Sequence, residues 1–152
     1  MKNILSAIDF SPITAKVLEY TKKIAAAGNG KIRLLHVAEP PPEFLGEEFG
    51  PPVERDLRAE KMKKHHKKLD EIAETLTGEG FDVKPIIVQG STVETILEQA
   101  KKSESDIIIL GSHGKGPFAK MVMGSVTEGV IHKSRIPVLI IPHSLEETVG
   151  NQ

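Results

Sequence analysis

The residues with the clearest chemical potential lie in one stretch, Gly111 to Val126, reading GSHGKGPFAKMVMGSV. Gly111 and Gly114 let the backbone turn sharply and admit a ligand with no Cβ in its way. Nine residues, Lys115 to Met123, then lead to Gly124-Ser125, where the periodicity predicts the start of a helix. Free backbone N–H groups and the positive end of a helix dipole at such a start favour an anion. Ser125 adds a hydroxyl donor, and Lys115 and Lys120 could offset phosphate charge. Glycines alone would fit any strand-to-helix loop; the order of strand, glycines, gap and helix start is what points to phosphate. The stretch is not a Walker loop, because Gly111-x4-Gly116 is followed by Pro117 instead of Lys-Ser/Thr. No Gly-x-Gly-x-x-Gly follows the first strand either, so the dinucleotide fingerprint is absent.

Asp9 is the second candidate. It closes an apolar strand at the edge where ligands bind, and its carboxylate can accept from ribose hydroxyls or an adenine amino group. The residues alone allow an equal alternative, a cap for a helix opening at Ser11-Pro12. Phospho-acceptor chemistry would need a further acid after the third strand, where the chain reads Val88-Gln89-Gly90. The histidines do not converge. His65 and His66 are adjacent on a predicted helix and point about 100° apart, His36 falls in a strand, and His132 and His143 read as surface residues. His113, inside the glycine loop, could touch a phosphate. Metal ligation by this set is not expected. The run Lys61 to Lys68 has five lysines, but nearby acids and the lack of interleaved aromatics make it a solvated helix face.

These residues need a scaffold. Five apolar runs, Ile4–Ile8, Ile32–Val37, Phe81–Val88, Asp106–Leu110 and Ile136–Ile141, are short and rich in β-branched residues, which suits strands. Between them the period becomes helical. Ile13, Val17, Tyr20 and Ile24 form one stripe, stopped at Gly28 and Gly30. Ala59, Met62, His66, Leu69, Ala73 and Leu76 form another, stopped at Gly78 and Gly80. Ser91-Thr92-x-Glu94 opens a third helix with a capping-box pattern, and a fourth is expected from near Ser125 to His132. The alternation predicts an α/β fold, a five-stranded parallel sheet with helices on both faces. Ligands in such folds bind outside the carboxyl ends of the strands, at the switch point. Glu39 to Pro52, with five prolines and four glutamates, reads as a mobile loop, taken to span 39–53, and 144–152 reads as a tail.

Composition sets the outer bounds. The 152 residues suit one domain, and 20 basic against 21 acidic residues argue against a nucleic-acid binder. The lack of cysteine excludes disulfide frameworks, thiolate metal sites and cysteine nucleophiles. No apolar run approaches the roughly 20 residues of a membrane span, and the start is too soon interrupted by Asp9 for a signal peptide. A cytoplasmic protein is expected.

The pattern Gly-x2-Gly-x9-Gly-Ser after the fourth strand resembles the ATP-binding branch of the universal stress protein family. ILSAIDFSPITAKVLEYTKKIA, LLHVAEP, DIIILGSHG and SRIPVLIIP resemble that family's first, second, fourth and fifth strand regions. The resemblance implies a Rossmann-like sandwich of the adenine nucleotide alpha hydrolase-like type. It implies ATP as ligand, with AMP or ADP as alternatives and Mg²⁺ accompanying the triphosphate. Asp9 would contact the nucleoside, Ala7 would line the base pocket and Val37 would meet the base. Leu110, Gly111 and Gly114 would lie against ribose and phosphates, and Gly124, Ser125 and Val126 would cradle the phosphates. It also implies a homodimer through the last strand, Ile136 to Ile141, which would otherwise be a bare sheet edge. The implied function is a nucleotide-dependent signalling or stress-response module. A slow ATPase and an adaptor with structural nucleotide are the alternatives, and no residue stands out as a catalytic base.

Overall fold

The computed structural model describes residues 1–40, 52–113 and 123–143. The elements alternate as expected: β1 (Asn3–Ala7), α1 (Thr14–Gly28), β2 (Lys31–Ala38), α2 (Pro52–Gly78), β3 (Asp82–Gln89), α3 (Thr92–Lys102), β4 (Ile107–Gly111), α4 (Ser125–Lys133) and β5 (Val138–Ile141). The strands form one sheet in the order β3-β2-β1-β4-β5, and every pairing is parallel. Among the described residues no helix is long and apolar enough to cross a membrane.

Consecutive apolar residues in β4 are explained by burial on both faces. Ile107 to Leu110 are all buried, as expected for a strand covered above and below. On one face Val17 and Ala25 of α1 and Leu69 and Ala73 of α2 meet Ile4, Ile32, Leu34 and Ile109. On the other, Ile96 and Ala100 of α3 and Val130 of α4 meet Leu5, Leu35, Ile108 and Leu110. Each fully buried Leu or Ile contributes about 1.5–3 kcal/mol, so the core fixes the strand ends that carry the candidate site.

Four local expectations need correction. The inward stripe of α2 uses His65, while Ala59 and His66 are exposed. Either histidine satisfies three-and-four spacing between Met62 and Leu69. Tertiary partners decide: His65 Nδ1 lies 3.2 Å from His36 Nε2 and its ring packs on Phe10. α1 starts at Thr14 with Ile13 as N-cap, not at Ser11-Pro12, because the Ser11 carbonyl is taken by the Thr14 N–H in a preceding turn. The capping box at Ser91 does not close. The Ser91 hydroxyl donates to the Glu94 carboxylate, which also binds Lys133, and no side-chain cap bond forms. Finally, β5 begins at Val138 and not at Ile136. Pro137 has no N–H to pair, and the Ile136 N–H is held by the Ser134 hydroxyl.

Candidate functional site

The sheet order reverses between β1 and β4, since the chain moves outward from β1 through β2 to β3 and then returns to β4 and β5 on the other side. The loops leaving β1 and β4 therefore part in opposite directions, and a cleft opens at their carboxyl ends. Ala7 ends β1 and Leu110-Gly111 ends β4, so the two strands bring these predicted residues side by side. Val37 sits near the end of β2, opposite Val88 of β3.

Past β1 the chain turns sharply. Phe10 adopts a left-handed φ of 60°, and the Ser11 N–H donates to Asp9 Oδ1 at 3.0 Å. Asp9 thus supports the turn before the helix through one oxygen and does not cap the helix itself. Past β4, Gly111 is required by contact: a Cβ there would come within 2.7 Å of Ile13 Cγ2. Ile13 is buried, at 3 % exposure, so α1 and the end of β4 fit together only around a glycine.

α4 begins at Ser125 with Gly124 as N-cap, and no side-chain cap bond closes it. Its start is tied back to β4 twice: the Gly124 N–H donates to the Ser112 carbonyl at 2.8 Å, and the Thr127 hydroxyl donates to the Gly111 carbonyl at 2.8 Å. The first-turn N–H groups of a helix have no partner within it, and no side chain among the described residues caps those of Ser125, Val126 and Thr127 beside β4. Gly124 is half-buried, Ser125 exposed, and Val126 half-buried against the α3 side of the core. Gly114, Lys115 and Lys120, and most of the 39–53 loop and the whole 144–152 tail, lie outside the described residues.

Four buried side-chain polar atoms lack a partner among the described residues: Ser11 Oγ, Thr14 Oγ1, His113 Nε2 and Ser105 Oγ. The first three belong to the segments leaving β1 and β4. Buried polar groups are normally satisfied, so the two segments that flank the switch point carry hydrogen-bonding capacity that the described residues do not use. Ser112 organises the β4 exit: its Oγ accepts the His143 N–H at 3.0 Å and lies 2.8 Å from His113 Nδ1. The glycine pattern pointed to Gly111 and Gly124, but nothing in it marked Ser11, Ser112 or Thr127. Their role depends on which backbone groups the fold sets opposite them. No group of three or more His, Cys, Asp or Glu residues suited to a metal occurs among the described residues. A hollow of about 550 Å³ between α1 and α2 touches Phe10 and Thr14 but none of the predicted site residues.

Residues 1–142 match the sequence model of the universal stress protein family. Universal stress protein MJ0577 of Methanocaldococcus jannaschii is 35% identical over 92% of this chain and 94% of its own length. The solved structure of MJ0577 superposes with a TM-score of 0.80 at 36% identity, covering 93% of this chain and 96% of that one. More distant structures share the fold. One is a universal stress protein from Archaeoglobus fulgidus in complex with dAMP (18% identity, TM-score 0.66, 93% and 98% coverage). Another is a universal stress protein in complex with cAMP (21% identity, TM-score 0.63, 93% and 96% coverage).

Proposed function

The chain belongs to the universal stress protein family, and on that footing we propose that it is a cytoplasmic ATP-binding module of a stress response, working as a homodimer. The observation that carries this reading is the start of α4. It is pinned to the carbonyls of Gly111 and Ser112 at the end of β4 and has no side-chain cap, so its first-turn N–H groups and dipole favour a phosphate. The dAMP and cAMP complexes of fold relatives support an adenine nucleotide as the ligand class.

In this reading Gly124, Ser125 and Val126 hold the phosphates, while Gly111 and Gly114 let them approach the backbone. Leu110 borders the ribose, and Ala7 and Val37 border the base. Asp9 keeps Oδ2 for the nucleoside, since Oδ1 is the atom engaged by Ser11. Mg²⁺ would arrive with the triphosphate and screen its charge; protein ligands for it are not required. Val138, Leu139 and Ile140 of the edge strand β5 are only half-buried, which supports pairing with β5 of a second copy.

Calorimetric titration with ATP·Mg tests the reading, and nucleotide released by heating the purified protein separates binding from hydrolysis. Gly124→Val is expected to weaken ATP binding by about 100-fold or more by obstructing the amide groups. Gly124 has φ −62° and ψ 151°, a conformation open to valine, and an unchanged urea midpoint is the check that the fold survives the change. Normal ATP affinity in that variant would overturn the cradle. Intact ATP in the released pool supports a binding module; ADP alone favours the slow ATPase.

A further inference from the structure

The opposite end of the sheet carries a second feature. A hollow of about 420 Å³ opens where β1, β2 and β3 begin and α3 ends, and Lys31, Arg33, Lys84 and Lys102 line it. Lys31 and Arg33 are two apart on β2, so they share the sheet face on which α3 packs. Arg33 stands directly opposite Lys84 in the β2–β3 register. Like charges placed directly across a strand pair are destabilising, so the arrangement is not explained by sheet stability.

Unpaired cations occur elsewhere among the described residues, at Lys61, Lys63 and Lys64 for example, but those are exposed on one helix, whereas several others have partners. Lys16 and Lys23 share Glu19, Lys22 pairs with Glu79, Lys133 with Glu94 and Lys102 with Glu98. Lys31, Arg33 and Lys84 make no ion pair or side-chain hydrogen bond among the described residues. Arg33 is half-buried in that condition. Asp82 faces Lys31 in register without pairing with it, and Glu104 is the lone carboxylate on the wall, against four cations. Lysines on an edge strand often deter edge-to-edge aggregation, and Lys84 on β3 suits that role. Lys31 and Arg33 lie on β2, an interior strand, where no edge needs guarding.

We propose that this hollow binds a compact polyphosphate anion, separately from the site at the carboxyl ends of the strands. The three unpaired cations supply the charge, with Arg33 able to bind two oxygens at once. Gln99 and Ser103, also on the wall, add neutral hydrogen-bonding groups. Concavity favours a small anion over a flat protein surface, and the near-neutral whole chain disfavours a nucleic acid.

The test uses pyrophosphate and tripolyphosphate as probes, titrated calorimetrically into the full chain at low salt. The Gly124→Val background removes competition from the α4 start. One site per chain is expected to persist in that background. The double variant Arg33→Gln, Lys84→Gln is expected to weaken it by about tenfold or more while leaving ATP binding by the otherwise wild-type chain unchanged. Amide shifts on tripolyphosphate addition should fall at residues 31–33, 82–86 and 99–104. The proposal is overturned if the double variant binds tripolyphosphate as tightly as its parent, or if Gly124→Val binds neither probe. It is also overturned if a glutamate-rich peptide displaces tripolyphosphate at equal concentration, which would make the occupant an acidic protein segment. A failure of ATP binding leaves these outcomes readable, because they do not depend on the nucleotide.

Discussion

At the carboxyl end of the sheet the groups without partners among the described residues are the hydroxyls Ser11 Oγ and Thr14 Oγ1, beside a first turn of α4 that no side chain caps. At the amino end they are, among the described residues, full charges: Lys31, Arg33 and Lys84. An anion at the first end meets fixed dipoles on a rigid frame. At the second it meets flexible cations, whose attraction is screened within about 10 Å at 0.1 M salt. Fixed dipoles demand close backbone approach and so demand glycine; flexible cations do not. The contrast therefore predicts where small changes in shape should matter and where they should not.

The largest effect should come from a methyl group at the carboxyl end. Gly111→Ala places a Cβ 2.7 Å from Ile13 Cγ2, an atom near the branch point of a buried side chain that cannot swing away. Overpacking of this kind costs about 1–3 kcal/mol, to be read from the urea midpoint. The matched control is Gly78 at the end of α2, where a Cβ meets nothing within 4 Å. Gly78→Ala should be neutral or stabilising by up to about 1 kcal/mol. Equal destabilisation by both would break the idea that the β4 exit is shaped by contact.

The sequence made the carboxyl end legible where chemistry and periodicity agree. Gly111 and Gly124 stand out through the order of strand, glycines, gap and helix start, not as single glycines, and α4 starts at Ser125 as that order requires. The strands were legible because apolar runs of β-branched residues in a βα alternation admit few arrangements. Legibility stopped where two readings of one pattern have equal local merit. His65 and His66 fit the α2 stripe equally, and only His36 and Phe10, distant in sequence, choose between them. The amino end was opaque for a related reason. Lys31, Arg33 and Lys84 belong to two segments separated by a long helix, and only strand register brings them face to face.

A smaller effect should follow from the tie between α4 and β4. Thr127 is buried at 3 % exposure, and its hydroxyl reaches the Gly111 carbonyl. Thr127→Val keeps the shape, removes the donor and leaves that carbonyl short of a partner, costing about 1–2 kcal/mol. If this tie sets the position of the α4 amides, ATP affinity should fall as well, and polyphosphate binding at the amino end should not. A loss of stability with ATP affinity intact would mean that the Gly124–Ser112 bond alone aligns the helix.

The smallest effect belongs to the amino end and is seen only in acid. Asp106 precedes β4, and its Oδ2 accepts the N–H of Lys2 at 2.7 Å and of Asn3 at 2.9 Å, so it ties the first strand to the fourth from outside the sheet. The Asn3 bond first, and the Lys2 bond next, hold its carboxyl below the ordinary aspartate value of 3.8. A carboxyl with a lowered folded pKa adds stability above its unfolded pKa and loses it as pH falls through the folded one. Wild type should therefore show a falling urea midpoint on acidification below pH about 4. Asp106→Asn keeps one carbonyl acceptor without the charge, so it should start slightly less stable near neutral pH and converge with wild type in acid. The carboxylate is exposed, and exposed charged contacts contribute little, so the gap should be small. Parallel curves for the two proteins would mean that the charge adds nothing to the tie and that the acid sensitivity of this end arises elsewhere.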